Sequence, residues 1–245
     1  MIDILMPLLA DIATVGESVY ESVRVPSSGD ANDAMPIGAD YHDPLSAAIA
    51  KHFPGVPICT DQTLPTDDST EWFLINGLTG ASSSNNISDQ DVITVAYIIN
   101  GAPCMGLVHH PITGKTWIGL EKRGVFILNH GQDIYPVTVS KAHPDYTIMT
   151  TDPMIGSVIA RQREQALGRP IQLKVMQSAL GIGYLVDGLA DEWIQCESSS
   201  PSVFAAVSCI ANQAKFDMSP LDKNDHLALQ EHIVPMVVKA SLSHI

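Results

Sequence analysis

The chain has 245 residues, of which 45% are apolar and 16% charged, with a net charge of −14. That balance excludes an intrinsically disordered chain and suits one large domain or two small ones. The acidic surface excludes nucleic acid and anionic lipid as partners, while one local pocket can still oppose the global sign and take a small phosphorylated ligand.

The four cysteines, Cys59, Cys104, Cys196 and Cys209, include no C-x-x-C pair, so no zinc or redox motif is present in sequence and free thiols are expected. Asp3 and Asp11 interrupt the apolar N-terminus, which no basic residue precedes, and no run reaches the ~18 apolar residues of a membrane span. A soluble, cytoplasmic protein with no membrane partner is expected.

In chain order, residues 2–23 place Leu5, Leu8, Leu9, Ile12, Val15, Val19 and Val23 at helical spacing, which predicts an amphipathic helix. Residues 26–38 are a Ser/Gly/Asp/Pro loop. A second helix is predicted from Asp43-Pro44, with Asp43 as cap and Pro44 in the first turn, ending before Pro54-Gly55. Residues 60–71 are an acidic polar loop. Strands are predicted at Trp72–Ile75, Val92–Ile99 and Met105–His109, the last two joined by Asn100-Gly101, and then at Thr116–Leu120 and Gly124–Leu128. The second half alternates: strands at Thr147–Thr151, Ile171–Met176 and Glu192–Gln195, helices at Gly156–Leu167, Ala179–Gly188 and Ser202–Ala214. Ser202 is read as the cap of the last helix. The organisation is therefore an N-terminal α+β part with an antiparallel meander, 1–135, and a C-terminal α/β part, 136–245, together one compact unit.

The most informative segment is Trp72-Phe73-Leu74-Ile75-Asn76-Gly77-Leu78-Thr79-Gly80-Ala81, a buried strand running into a glycine-bearing turn whose N–H groups can hold a phosphate. It resembles the central motif of the inositol monophosphatase superfamily, where an aromatic-led strand ends in Asp-Pro-Leu/Ile-Asp-Gly-Thr. Flanking segments extend the resemblance over nearly the whole chain. They are Phe53–Ile58, Val92–Gly106 with Pro111, Val139–Asp145, Ser178-Ala179-Leu180, Leu185–Asp191 and Pro201–Ala206. The resemblance is closest to the 3′(2′),5′-bisphosphate nucleotidase branch. It implies an α/β fold, the layered αβαβα sandwich of the sugar phosphatases, and a homodimer as the default assembly.

In that family a Glu, two Asp of the central motif and a later Asp hold catalytic Mg²⁺. Carried onto this chain, those four positions are Asp61, Asn76, Thr79 and Ser202, with one carboxylate left. An amide and two hydroxyls cannot neutralise two dications, and phosphoryl transfer rests on electrostatics, so ordinary catalysis is expected to be lost. Gly80 and Ala81 remain as the phosphate-binding turn. Asp187 stands at the family's hydroxyl-binding Glu and is the expected substrate-binding residue. Asp61 is the one candidate metal ligand, but its neighbours Asp67, Asp68 and Glu71 favour reading it as one acid of a solvated loop.

Beside these, Asn76 and Thr79 are read as turn caps, Ser82–Ser84 and Ser198–Ser200 as loops, and Gly181-Ile182-Gly183 as helix packing. His109 and His110 point to opposite strand faces and cannot share a metal. The expected function is that of a catalytically degenerate pseudo-phosphatase without a cofactor. It would bind a phosphorylated small molecule or a protein partner, among them an active homologue. The alternative is an active Mg²⁺-dependent phosphomonoesterase for bisphosphate nucleotides or inositol and sugar phosphates, using Asp61 with Asp40, Asp67 or Asp68 as displaced ligands.

Overall fold

The computed structural model describes residues 2–24, 41–65, 69–79, 89–130, 133–139, 145–176, 178–221 and 236–240. Helix α1 (Ile2–Arg24) and α2 (His42–His52) lead into β1 (Ile58–Cys59), β2 (Glu71–Thr79), β3 (Val92–Ile99), β4 (Ala102–His110), β5 (Lys115–Leu120), β6 (Gly124–Asn129) and β7 (Asp133–Val137). Then follow β8 (Tyr146–Thr150), α3 (Pro153–Leu167), β9 (Ile171–Val175), α4 (Leu180–Val186), β10 (Glu192–Gln195), α5 (Pro201–Gln213), β11 (Asp217–Pro220) and β12 (Met236–Lys239). β1 to β7 form one sheet in sequence order, antiparallel except for the parallel β1–β2 pair. β11-β12-β10-β8-β9 form a second sheet, with β8, β9 and β10 parallel.

These elements stack in five layers, α1/α2, first sheet, α4/α5, second sheet and α3, which is the sandwich expected. The apolar stripe of α1 (Leu5, Leu8, Leu9, Ile12) packs with Leu45 and Ile49 of α2 on Phe73, Ile93, Val95 and Leu107 of the first sheet. Asp11 ties the two helices by accepting from Lys51 Nζ and His52 Nε2, each at 2.7 Å. On the opposite face Trp117, Val125 and Ile127 meet Leu180, Leu185, Val207 and Ile210 of the helical layer and Met149, Trp193 and Val238 of the second sheet. α3 closes the stack through Ala160 on Ile148 and Ile194.

The middle layer sits close to the first sheet because small residues line its path. Gly106 and Gly119 are cross-strand partners. A Cβ on Gly106 would lie 2.3 Å from the Ala206 carbonyl oxygen, and one on Gly119 2.7 Å from the Ile210 Cα. This glycine pair makes the groove that receives α5. Gly181 and Gly183 do the same for α4, where added Cβ atoms would enter the rings of Trp193 and Trp117, in agreement with the packing reading.

Asn100 and Gly101 take φ of 51° and 76°, the doubly left-handed turn expected between β3 and β4. Three helix starts differ from expectation. α2 begins at His42 with Tyr41 at the cap position, so that Asp43 is not the cap but an acid of the first turn, where it suits the positive end of the helix. α5 begins at Pro201 with Ser200, not Ser202, as its cap, because Pro fits the first helical position and Ser200 is extended (ψ 154°) with its hydroxyl accepting from the Val203 N–H. α3 begins at Pro153 for the same reason, with the Asp152 carboxylate accepting from Met154 and Ile155 N–H.

Candidate functional site

The parallel β1–β2 pairing sets Ile58 opposite Phe73 and Cys59 opposite Leu74. Continued two residues further, that register brings Asp61 beside Asn76. The turn after β1 closes on itself, with the Thr60 N–H donating to Thr63 Oγ1 at 2.8 Å and the Thr63 N–H to the Thr60 carbonyl at 3.0 Å. The N-terminus of α5 meets the same point from the helical layer.

Three of the four positions carried over from the family therefore converge. Asp61 Oδ1 accepts from the Ser202 N–H at 2.8 Å, and Oδ2 accepts from Ser202 Oγ and Asn76 Nδ2, each at 2.9 Å. Ser200 Oγ lies 3.0 Å from Ser202 Oγ and 3.4 Å from Asn76 Nδ2. Since the Ser202 hydroxyl proton goes to Asp61, Ser200 donates to Ser202, and one directed chain of hydroxyls ends on the carboxylate.

Asp61 is thus not a solvated loop acid, as its acidic neighbours suggested. Local charge said nothing of the helix end that the fold brings to it. Nor is Asn76 a turn cap: β2 runs on through it, it pairs with Thr94, and its amide donates to Asp61 and Ser200. Thr79 ends β2 beyond an irregularity in the β2–β3 register after Asn76, and its side chain lies outside the described residues. Gly80, Ala81, Ser82–Ser84, Asp40, Asp67 and Asp68 also lie outside them.

The described donors, Asp61, Asn76 and Ser202, do not fit the pair of Mg²⁺ ions that the resemblance implies. Both Asp61 oxygens face N–H and O–H donors, and the Ser202 N–H, with its positive end turned to the centre, would oppose a cation there. Among the described residues no three His, Cys, Asp or Glu side chains form a metal-holding group.

Asp187 is not part of this network. Its carboxylate accepts from Lys115 Nζ at 2.6 Å and from Trp117 Nε1 at 3.0 Å, and the Lys115 ammonium sits 5.3 Å from the Trp117 ring centre. Asn76, Thr94, Val108 and Trp117 form one cross-strand row. Asn76 and Trp117 therefore share a sheet face, three strand spacings apart, about 14 Å. Asp187 borders a cavity of about 500 Å³ with Lys115, Ile127, Tyr135, Val137 and Leu189.

The two histidines diverge as expected. His109 is fully buried under α1, its Nδ1 2.9 Å from Thr116 Oγ1 and its ring against Gly16, where a Cβ would lie 2.4 Å from Cδ2. Burial pulls its pKa down to about 3, so it stays neutral. His110 Nε2 donates to the Asp89 carbonyl at 3.0 Å and Nδ1 accepts from Thr113 Oγ1 at 2.9 Å. Neither histidine reaches Asp61. Sequence reasoning missed Ser200, which the Ser200-Pro201 pair marks as a cap, and Lys115 and Trp117, for which no local signal exists.

No protein-family model matches the chain, and no curated protein matches it in sequence. Solved structures do match in shape. CysQ from Bacteroides thetaiotaomicron, a bacterial member of the inositol monophosphatase family, is similar with a TM-score of 0.77 at 15% identity, over 97% of this chain and 97% of that one. The Thermotoga maritima IMPase gives 0.72 at 18% identity, over 98% and 92%. SaIMPase-II bound to 2′-AMP gives 0.69 at 14% identity, over 94% and 86%. The chain has the α/β fold of the inositol monophosphatases.

Proposed function

We propose that this protein is a catalytically degenerate phosphatase that acts by binding, without metal-dependent hydrolysis. The observation that carries this reading is the engagement of both Asp61 oxygens, which take three donors from Ser202 and Asn76. A phosphatase of this kind needs anions that cluster cations and so generate a nucleophile from water. Here the one carboxylate is spent on a helix N-terminus, and its neighbours are an amide and hydroxyls.

The bound partner is proposed to be a phosphorylated small molecule or a protein, and the assembly a homodimer. The 2′-AMP-bound relative supports a nucleotide-like ligand. In such a complex the cavity bordered by Lys115 and Asp187 would receive the distal part of an extended ligand, because its lining on β5, β6 and β7 lies three to five strand spacings from Asn76, about 14–24 Å.

Phosphate release from a panel of bisphosphate nucleotides and inositol and sugar phosphates, with Mg²⁺ or Mn²⁺, tests the reading. The expected rate equals that of buffer, and calorimetric titration with Mg²⁺, with or without a nucleotide bisphosphate, gives no heat beyond that of the same titration without protein. Metal-dependent turnover would refute it.

A further inference from the structure

The hydrogen bonds round Asp61 are those that a helix N-terminus gives to a bound anion. α5 has 13 residues, and the N–H of its second residue, Ser202, points at Asp61 Oδ1. Ser202 Oγ and Asn76 Nδ2 complete the set at Oδ2, and Ser200 Oγ backs them. A second feature at the same place points to a ligand. Thr94, the cross-strand partner of Asn76, is fully buried, and its Oγ1 has no hydrogen-bond partner among the described residues. Cross-strand partners point to the same side with Cβ atoms about 5 Å apart, so this hydroxyl lies on the face that Asn76 turns toward α5.

We propose that Asp61 is the built-in occupant of an oxyanion site, and that the phosphate group of a ligand reaches α5 only by displacing it. This rests on the reading above, in which no metal bridges Asp61 to a phosphate. The donors suit a tetrahedral oxyanion: one backbone N–H, two hydroxyls and an amide converge from two elements, and a phosphate offers more acceptor oxygens than the carboxylate it replaces. The two anions exclude each other, since they need the same donors and carry like charge. The turn that carries Asp61 can act as the gate. Its hydrogen bonds, Thr60 to Thr63 and Gln62 to Thr60, are internal, so it can lift without breaking them.

The test uses inorganic phosphate in EDTA, read by calorimetry and by thermal shift, on the wild-type chain and on Asp61→Ala, with folding checked by circular dichroism. Asp61→Ala is expected to bind phosphate at least about tenfold more tightly than wild type, and adding Ser202→Ala should remove the gain. A folded Asp61→Ala with wild-type affinity overturns the proposal, as does a gain that survives Ser202→Ala. Asp61→Ser replaces Asp61→Ala if the latter does not fold. Should neither fold, NMR of the wild-type chain decides. Phosphate must shift the signals of the Ser202 backbone amide and the Asn76 side-chain amide, the groups that Asp61 would release, and unchanged signals there overturn the gate. Because metal is absent throughout, a negative result beside an inactive wild type removes the gate and leaves the non-hydrolysing reading. Metal-dependent hydrolysis by wild type removes that reading itself.

Discussion

Thr94 carries a buried hydroxyl that no group among the described residues satisfies. An unpaired buried hydroxyl costs about 1–3 kcal/mol, so Thr94→Val, nearly the same in shape, should leave the chain as stable or raise its stability by about 1 kcal/mol in urea unfolding. His109 makes the opposite kind of demand. It is buried and neutral, with a folded pKa of about 3 against an unfolded value of about 6.5. Above the unfolded value both states are uncharged and the residue contributes no pH dependence. Below it the unfolded chain takes up the proton first, so stability falls with falling pH until the folded value is reached. The slope is at most about 1.4 kcal/mol per unit. Denaturation midpoints measured from neutral to acid pH should show a shallower acid limb in His109→Gln than in wild type. Parallel limbs would contradict the burial argument.

α5 is the element on which the site and the core both depend. Its cap, Ser200, accepts from the Val203 N–H while joining the hydroxyl chain to Asp61. Ser200→Ala should cost about 1 kcal/mol in urea unfolding, the usual loss for an N-cap serine. The groove beneath α5 is stricter. A Cβ at Gly119 would meet the Ile210 backbone at 2.7 Å, and backbone cannot rotate away as a side chain can. Gly119→Ala is therefore expected to destabilise by about 1–3 kcal/mol, and to weaken the Asp61 contacts as α5 is pushed off the sheet. The same urea series checks it, and a neutral effect would mean that the groove is wider than the backbone positions imply.

For the molecule as a whole, the proposed loss of catalysis rests on charge, and charge can be put back. The variant Asn76→Asp, Thr79→Asp, Ser202→Asp restores a carboxylate at each of the carried-over positions. It should be less stable than wild type without metal, because like charges then crowd one spot. It should also gain a Mg²⁺-dependent rise in melting temperature that wild type lacks, since a cation bound only by the folded state stabilises it by mass action. An equal rise in wild type would show that the native donors hold Mg²⁺ after all. Light scattering during size exclusion checks the proposed dimer.

How much of this was legible without coordinates differs by feature. The strands Val92–Ile99, Thr116–Leu120 and Glu192–Gln195 were readable because apolar runs and turn residues are local signals. So was the hairpin at Asn100-Gly101, which only residues tolerant of positive φ can make. The short strands β1, β7, β11 and β12 were not, since their pairing partners and not their own residues define them. The order of segments along the chain determined the fold, and the residue types at Asp61, Asn76, Thr79 and Ser202 determined that little negative charge is present to hold metal. What Asp61 does was decided only in three dimensions. Its acidic neighbours in sequence argued for water. The β1–β2 register and the glycine groove under α5 instead set a helix N-terminus against its carboxylate, a contact across 141 residues that no local pattern encodes.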